Sequence, residues 1–154
     1  MASACRFSSS VTVQGTPPGR PNEISLGKRE SIHDVAKNLE RMVQGIMIRT
    51  FAHATAVELA EASTVPVING LTDDHHPCQV LADLMTAQER GVDLRKMRVA
   101  FIGDGNNVAN SWVEAAHVLG FTLRVACPEG YEPDAGIRKE AGKAGRGDVR
   151  IVRG

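Results

Sequence analysis

Apolar residues recur along this chain with two alternating spacings, one typical of helices and one of buried strands. Between Ser31 and Val43 they return every three or four positions, which predicts a helix with one buried face. Ser31, with Asp34 three positions later, fits the start of that helix. The short apolar run Gly45–Thr50 is typical of a buried strand, and a helix beginning at Thr55 follows it.

The same alternation continues to the end of the sequence. Pro77 opens a helix at its first turn, where its missing backbone N–H costs no hydrogen bond, and Gly91 ends that helix. The further predicted elements are the strands Val65–Asn69, Met97–Gly103, Thr122–Cys127 and Asp148–Val152, and the helices Asn106–Leu119 and Asp134–Lys143. Alternating strands and helices predict an α/β fold, with parallel sheets that carry helices on both faces.

The long helix Pro77–Arg90 separates two groups of strand–helix units, so we interpret it as a connector between domains. This interpretation places a boundary near Gly91. We expect an unrelated or disordered start in residues 1–20, where a Gly-Thr-Pro-Pro-Gly run would break any helix. A first domain is expected in residues 21–90 and a second in residues 91–154.

Composition excludes several classes of protein. Lys plus Arg is 18 and Asp plus Glu is 18, so the formal net charge is zero and no basic surface for nucleic acid is expected. No apolar run approaches the roughly 18 residues of a membrane helix. The three cysteines, without close pairs, predict no disulfide framework and a reducing compartment, the cytoplasm.

The most reactive side chains are crowded into Asp73–Cys78, directly around the predicted helix start. Metal ligands usually converge from spaced positions, whereas adjacent residues point in different directions, so no metal site is predicted here. Cys78 as a nucleophile would require a neighbouring base and a third group to orient that base. An anion site is the remaining interpretation of this cluster.

The anion site would lie where the helix begins. Pro77 at the first helical position places His76 at the N-cap, and the first backbone N–H groups have no acceptor within the helix. The positive end of the helix dipole suits a phosphate or a developing oxyanion, and His76 and Gln79 could both face it. In the alternative, His76 only caps the helix and Gln79 is solvated.

A second candidate is the turn Gly103–Asn107, which lies between a strand and a helix as in a dinucleotide fingerprint. Val108 stands where the third glycine of that fingerprint should be, which argues against a nicotinamide cofactor. Gly103 and Gly105 would allow a small ligand to approach the backbone, and the amides of Asn106 and Asn107 could bind a zwitterion. Alternatively, the two asparagines only make the turn and cap the helix.

Arg49 ends the predicted strand Gly45–Thr50, and the carboxyl ends of strands are where open α/β sheets bind ligands. Its guanidinium group suits a planar or phosphate oxyanion. The alternative is an ion pair at the rim of the sheet.

Four stretches of the sequence together resemble the ornithine carbamoyltransferase family over about Pro21–Gly154. They are GIMIRTFAH, VPVINGLTDDHHPCQVLADLMT, FIGDGNNVANSW and ACPEGYEPD. The resemblance implies two Rossmann-like domains and transfer of the carbamoyl group of carbamoyl phosphate to ornithine, in arginine biosynthesis. It also implies a homotrimer without a metal or organic cofactor.

Carried over residue by residue, the resemblance implies that Arg49, His76 and Gln79 bind carbamoyl phosphate and that Asn107 binds ornithine. Arg49 and His76 would be catalytic, because they would hydrogen-bond the carbonyl oxygen. Gln79 would hold the carbamoyl nitrogen. Cys78 falls at a variable position of the motif and is expected to have no role.

The family's Ser-Thr-Arg-Thr phosphate motif is not found before Pro21, and its later ornithine-site segments are not found before Gly154. The chain is therefore expected to be a central fragment that is inactive alone. Two other functions stay open: a carbamoyltransferase with a different amine acceptor, and a non-catalytic module that binds a small ligand.

Overall fold

The computed structural model describes residues 11–14, 30–143 and 145–153. The chain forms two compact units that divide between Asp73 and Asp74. The first contains β1 (Val11–Gln14), α1 (Ile32–Leu39), β2 (Ile46–Arg49), α2 (His53–Ala62) and β3 (Val67–Leu71). The second contains α3 (Pro77–Glu89), a 3₁₀ turn (Leu94–Lys96), β4 (Arg98–Ile102), α4 (Asn107–Leu119), β5 (Thr122–Ala126), α5 (Ala135–Lys143) and β6 (Asp148–Val152).

The first unit is a parallel sheet in the order β1-β2-β3. Ile46 and Ile48 of β2 are buried, whereas Met47 and Arg49 between and after them are exposed. The two isoleucines form one core with residues of both helices, namely Ile32, Ala36, Ala56 and Leu59. One face of this sheet therefore carries α1 and α2.

The second unit repeats this arrangement in the order β4-β5-β6, again fully parallel. Leu123 and Val125 of β5 are buried in a core to which α4 contributes Val113 and α3 contributes Val80 and Leu84. Because the buried face of α3 joins this core, α3 belongs to the second unit. The predicted boundary near Gly91 lies after α3, whereas the observed division after Asp73 lies before it.

The α/β class with parallel sheets is confirmed, and two details differ from expectation. In the described ranges, the buried helix residues of each unit pack on a single face of its sheet, where helices on both faces were predicted. The strand β1 lies in residues 1–20, where no element was predicted, and pairs with β2. Its three consecutive β-branched residues, Val11, Thr12 and Val13, favour an extended backbone.

Most predicted helix boundaries are confirmed. Ser31 caps α1 by accepting a hydrogen bond from the backbone N–H of Asp34, and Gly120 ends α4 with a positive φ of 84°. The helix predicted from Thr55 is present as α2, but its predicted start was wrong, because α2 begins at His53 without a side-chain cap. Within the described residues, no helix combines the length and the apolar character needed to cross a membrane.

Candidate functional site

The loop that leads into α3 carries the predicted anion-binding residues. His76 occupies the N-cap position and Pro77 the first helical position, as predicted. The His76 side chain makes no capping hydrogen bond, which excludes the alternative that it serves only as a cap. Its Nδ1 is enclosed without a hydrogen-bond partner among the described residues.

Three consecutive residues of this loop are held by side chains of α4. The backbone carbonyl of Asp74 accepts a hydrogen bond from Asn110 Nδ2 at 3.0 Å. His75 Nδ1 lies 3.2 Å from Glu114 Oε2. The backbone N–H of His76 donates to Ser111 Oγ at 2.8 Å. The position of His76 is therefore fixed by a helix that begins 31 residues later in the sequence.

The ion pair of His75 changes the acidity of its ring. The hydrogen bond to the Glu114 carboxylate raises the pKa of His75 above its ordinary value, and partial burial of the ring opposes this effect. The negative charges of Glu114, Asp74 and Asp134 act in the same direction as the hydrogen bond. Protonation of His75 therefore strengthens its link to α4.

Asn107 is the first residue of α4, and its backbone carbonyl accepts a hydrogen bond from Ser111 Oγ at 3.0 Å. Asn106 before it is the N-cap, and its Oδ1 accepts hydrogen bonds from the backbone N–H groups of Val108 and Ala109. The capping alternative is thus confirmed for Asn106. The ligand-binding role of Asn107 stays a prediction.

The glycines of this turn have different roles. Gly103 has a φ of 145°, a backbone conformation that favours glycine. Gly105 donates its N–H to the Tyr131 carbonyl at 2.8 Å, and a Cβ atom there would lie 2.2 Å from Glu132 C and from Pro133 N. The close approach that Gly105 permits is therefore to the protein's own backbone, rather than to a ligand as the sequence suggested.

Gln79 lies in the first turn of α3 with an exposed side chain. Its Nε2 donates to Asp83 Oδ1 at 3.1 Å. A carboxylate can only accept hydrogen bonds, so this contact assigns the orientation of the amide. The Oε1 atom of Gln79 therefore points away from Asp83, and it is the atom of this amide that could accept a hydrogen bond from a ligand.

Arg49 is the last residue of β2 and is exposed, at the carboxyl end of the sheet in the first unit. The next residue, Thr50, donates its backbone N–H to the Leu71 carbonyl at 3.0 Å and so ties this end of β2 to β3. No acceptor among the described residues binds the guanidinium group. Among the described residues, Arg49 therefore forms no ion pair at the rim of the sheet.

A metal centre was considered for Asp73–Cys78. Over residues 11–14, 30–143 and 145–153, no three His, Cys, Asp or Glu side chains are grouped so that they could hold a metal ion. His75 in this segment is instead paired with Glu114. Cys78 lies in the first turn of α3 and is half-buried.

The residues that hold the loop, namely Asn110, Ser111 and Glu114, were not predicted from the sequence. A signal for the first two was present, because they lie on the apolar stripe of α4 beside Ala109 and Val113. The structure leaves Asn110 only 5% and Ser111 only 4% exposed. Polar side chains on the buried face of a helix need partners, and the partners here are backbone groups of a distant loop.

Comparison with known families accounts for both units. Residues 4–89 match the family model described as the carbamoyl-phosphate-binding domain of aspartate/ornithine carbamoyltransferase. Residues 95–151 match the model described as the aspartate/ornithine-binding domain. This chain belongs to the aspartate/ornithine carbamoyltransferase family. The first match begins at residue 4, so the family likeness extends further toward the amino end than the motifs after Pro21 indicated.

Individual family members show the same likeness. The chain is 53% identical over 133 residues to the anabolic ornithine carbamoyltransferase of Pseudomonas aeruginosa, covering 86% of this chain and 42% of that protein. The solved ornithine carbamoyltransferase of Thermus thermophilus matches with a TM-score of 0.72 and 47% identity, over 84% of this chain and 43% of that one. The enzyme of Burkholderia thailandensis matches with a TM-score of 0.80 and 33% identity, over 93% and 55%. The chain thus spans about half or less of the length of these family members.

Proposed function

We propose that this chain provides carbamoyl-phosphate- and ornithine-binding parts of an ornithine carbamoyltransferase. In this reaction the δ-amine of ornithine attacks the carbonyl carbon of carbamoyl phosphate. A new carbon–nitrogen bond forms, the bond from that carbon to the phosphate oxygen breaks, and phosphate leaves with the electron pair. The amine loses a proton, and the products are citrulline and phosphate.

The observation that carries the proposal is the hydrogen-bonded connection of His76 to Asn107. The residue proposed for carbamoyl phosphate and the one proposed for ornithine lie in the same unit, and Ser111 binds the backbone of both. A two-substrate transfer needs its reactants held in fixed geometry, and a shared buried hydroxyl group is a rigid way to hold them. Family membership and the names of the similar enzymes support the same reaction.

His76 and Arg49 are the proposed catalytic residues. As the amine attacks, negative charge grows on the carbonyl oxygen, and donors fixed in advance around that atom stabilise the charge. The His76 side chain makes no capping hydrogen bond, and Arg49 is exposed at the carboxyl end of β2.

Gln79 is proposed to hold the carbamoyl nitrogen. That –NH₂ group is a donor and needs an acceptor. Because Asp83 engages Nε2 of Gln79, the amide oxygen is the free end of the side chain. Asp83 would then act by keeping this orientation.

The proposal extends to organisation and location. The carbamoyl-phosphate-binding part would be residues 21–90, including α3 although that helix packs in the second compact unit, and the ornithine-binding part would be residues 91–154. The complete protein would be a homotrimer in the cytoplasm that makes arginine precursors. Light scattering on the purified protein measures its size, and a monodisperse species other than a trimer would contradict that part.

The identity of the acceptor is tested by assaying carbamoyl transfer to ornithine, aspartate and putrescine with the gene product that contains this sequence. The matching family model covers both aspartate and ornithine enzymes, so aspartate is the essential comparison. Transfer to ornithine alone is the expected result. Preferred transfer to either of the other two amines would reassign the acceptor.

A calorimetric titration of the same protein with carbamoyl phosphate separates an enzyme from a non-catalytic binding module. Heat of binding followed by citrulline formation on addition of ornithine is expected. No heat with carbamoyl phosphate at millimolar concentration would favour the module.

A further inference from the structure

Two hydrogen bonds meet at the hydroxyl group of Ser111. Its oxygen accepts from the backbone N–H of His76 at 2.8 Å and lies 3.0 Å from the backbone carbonyl of Asn107. A hydroxyl group carries one proton, and a carbonyl can only accept, so Ser111 must donate to Asn107 and accept from His76. The direction of this three-residue relay is therefore fixed.

The bond from Ser111 to Asn107 would be unremarkable alone, because serine and threonine in helices often bond the carbonyl four residues earlier. Thr86 does so in α3, with its Oγ1 atom 2.9 Å from the Ala82 carbonyl. Thr86 is exposed and has no second partner among the described residues. Ser111 differs because it is buried and also receives a bond from a distant loop.

We propose that Ser111 is a positioning residue that couples the carbamoyl side of the site at His76 to the ornithine side at Asn107. The inference rests on the proposed function, since it assigns a ligand to each end. Hydrogen bonds in a buried chain polarise and strengthen one another, so a shift in the backbone at one end changes the bond at the other. Such coupling is reciprocal between two ligands.

The hydroxyl group itself is what the proposal requires. At His76, the N-cap residue of α3, the backbone N–H has no acceptor within the helix, so without Ser111 it is buried beside an apolar atom or must move toward water. Ser111→Ala removes both bonds, whereas Ser111→Thr keeps a hydroxyl group. Thr86→Ala removes only a local bond of the same kind and serves as the matched control.

The first measurement is amide hydrogen exchange of His76 by NMR in the 154-residue chain without ligand. In Ser111→Ala we expect exchange to become roughly two- to tenfold faster, the range that corresponds to one hydrogen bond. Ser111→Thr should restore slow exchange, and Thr86→Ala should leave it unchanged. Fluorescence of Trp112 confirms that each variant is folded. Unchanged exchange in a folded Ser111→Ala chain would overturn the proposal.

The second measurement adds ornithine to the gene product that contains this sequence, unaltered or with each substitution, and follows the resonances of Asn107 and His76. In the unaltered chain and in Ser111→Thr both residues should respond, whereas in Ser111→Ala only Asn107 should respond. If His76 responds equally in Ser111→Ala, the coupling is refuted and the ornithine site stands. If Asn107 itself does not respond in the unaltered gene product that contains this sequence, the proposed function fails, and the coupling fails with it.

Discussion

The backbone N–H of His76 donates to the hydroxyl group of Ser111 over 2.8 Å, although the two residues are 35 positions apart in the sequence. This bond, with those of Asn110 and Glu114 to the two preceding residues, fixes the loop before α3 against the first turns of α4. A group that must meet a growing charge works best when its position is set before the substrate arrives. In the proposed reaction, the polar residues of α4 would set the position of His76 in this way.

Asn110→Ala should destabilise the second unit by about 1–3 kcal/mol. Its amide group donates to the Asp74 carbonyl and accepts from the backbone N–H of Asp134, so the substitution leaves two backbone groups without their partner. Urea unfolding followed by Trp112 fluorescence measures the free energy. Gln88→Ala, an exposed change in α3, is the control, and equal stability of the two variants would contradict the prediction.

The pair of His75 and Glu114 should make stability depend on pH. Because the pKa of His75 is raised by folding, its protonated form stabilises the fold at pH values below the unfolded pKa of about 6.5. This contribution is lost as the pH rises through the folded pKa. Urea unfolding of the original chain and of His75→Gln should therefore differ most in mild acid and converge in alkali.

Glu114→Gln is the control for this titration, because it removes the charge that the His75 ring faces most closely. In that background, His75→Gln should have a smaller effect in acid. The difference in unfolding free energy between the original chain and His75→Gln should shrink as the pH rises. If it grew instead, its sign would be wrong and the pair of His75 and Glu114 would be excluded as its cause.

Gly105→Ala should destabilise the second unit on the order of 3 kcal/mol or more. The new methyl group would overlap the backbone at Glu132 and Pro133, which cannot rotate away as a flexible side chain could. Gly142→Ala, in α5 with open space around the added Cβ atom, should instead stabilise by up to about 1 kcal/mol. Thermal and urea unfolding of both variants test the contrast, and similar effects of the two changes would refute it.

His76→Ala should lower the kcat of citrulline formation by a factor on the order of 10²–10³ in the gene product that contains this sequence. The reason is the loss of one donor to the developing oxyanion. Steady-state kinetics against both substrates, with Gln88→Ala as an exposed control, measures the effect. A kcat equal to that of the control would remove His76 from the catalytic residues.

Asn107→Ala should raise the KM for ornithine much more than the KM for carbamoyl phosphate. Its side chain is proposed to contact the amino-acid end of ornithine, whereas its backbone carbonyl, which holds Ser111, is retained in alanine. Steady-state titration of each substrate at saturating levels of the other separates the two constants. Equal increases in both would show that Asn107 only shapes the turn.

The sequence by itself determined the elements and most of their ends, because these depend on interactions within about four residues. The caps at Ser31 and Gly120 and the helix start at Pro77 follow from side-chain chemistry and backbone sterics at the position itself. The position of His76 at a helix N-terminus was also local information. It was therefore available before any tertiary structure.

Tertiary structure alone decided what His76, Gly105 and α3 touch. The carbonyl and N–H groups that Asn110 and Ser111 satisfy lie on segments distant in sequence, and periodicity showed only that these residues face inward. In the same way, Val80 and Leu84 marked a buried face of α3, but only packing against Val113 determined which unit receives that face. A pattern of apolar positions predicts which face of a helix or strand is buried. What packs on that face depends on the tertiary fold, because contacts between segments distant in sequence form only when the chain has folded.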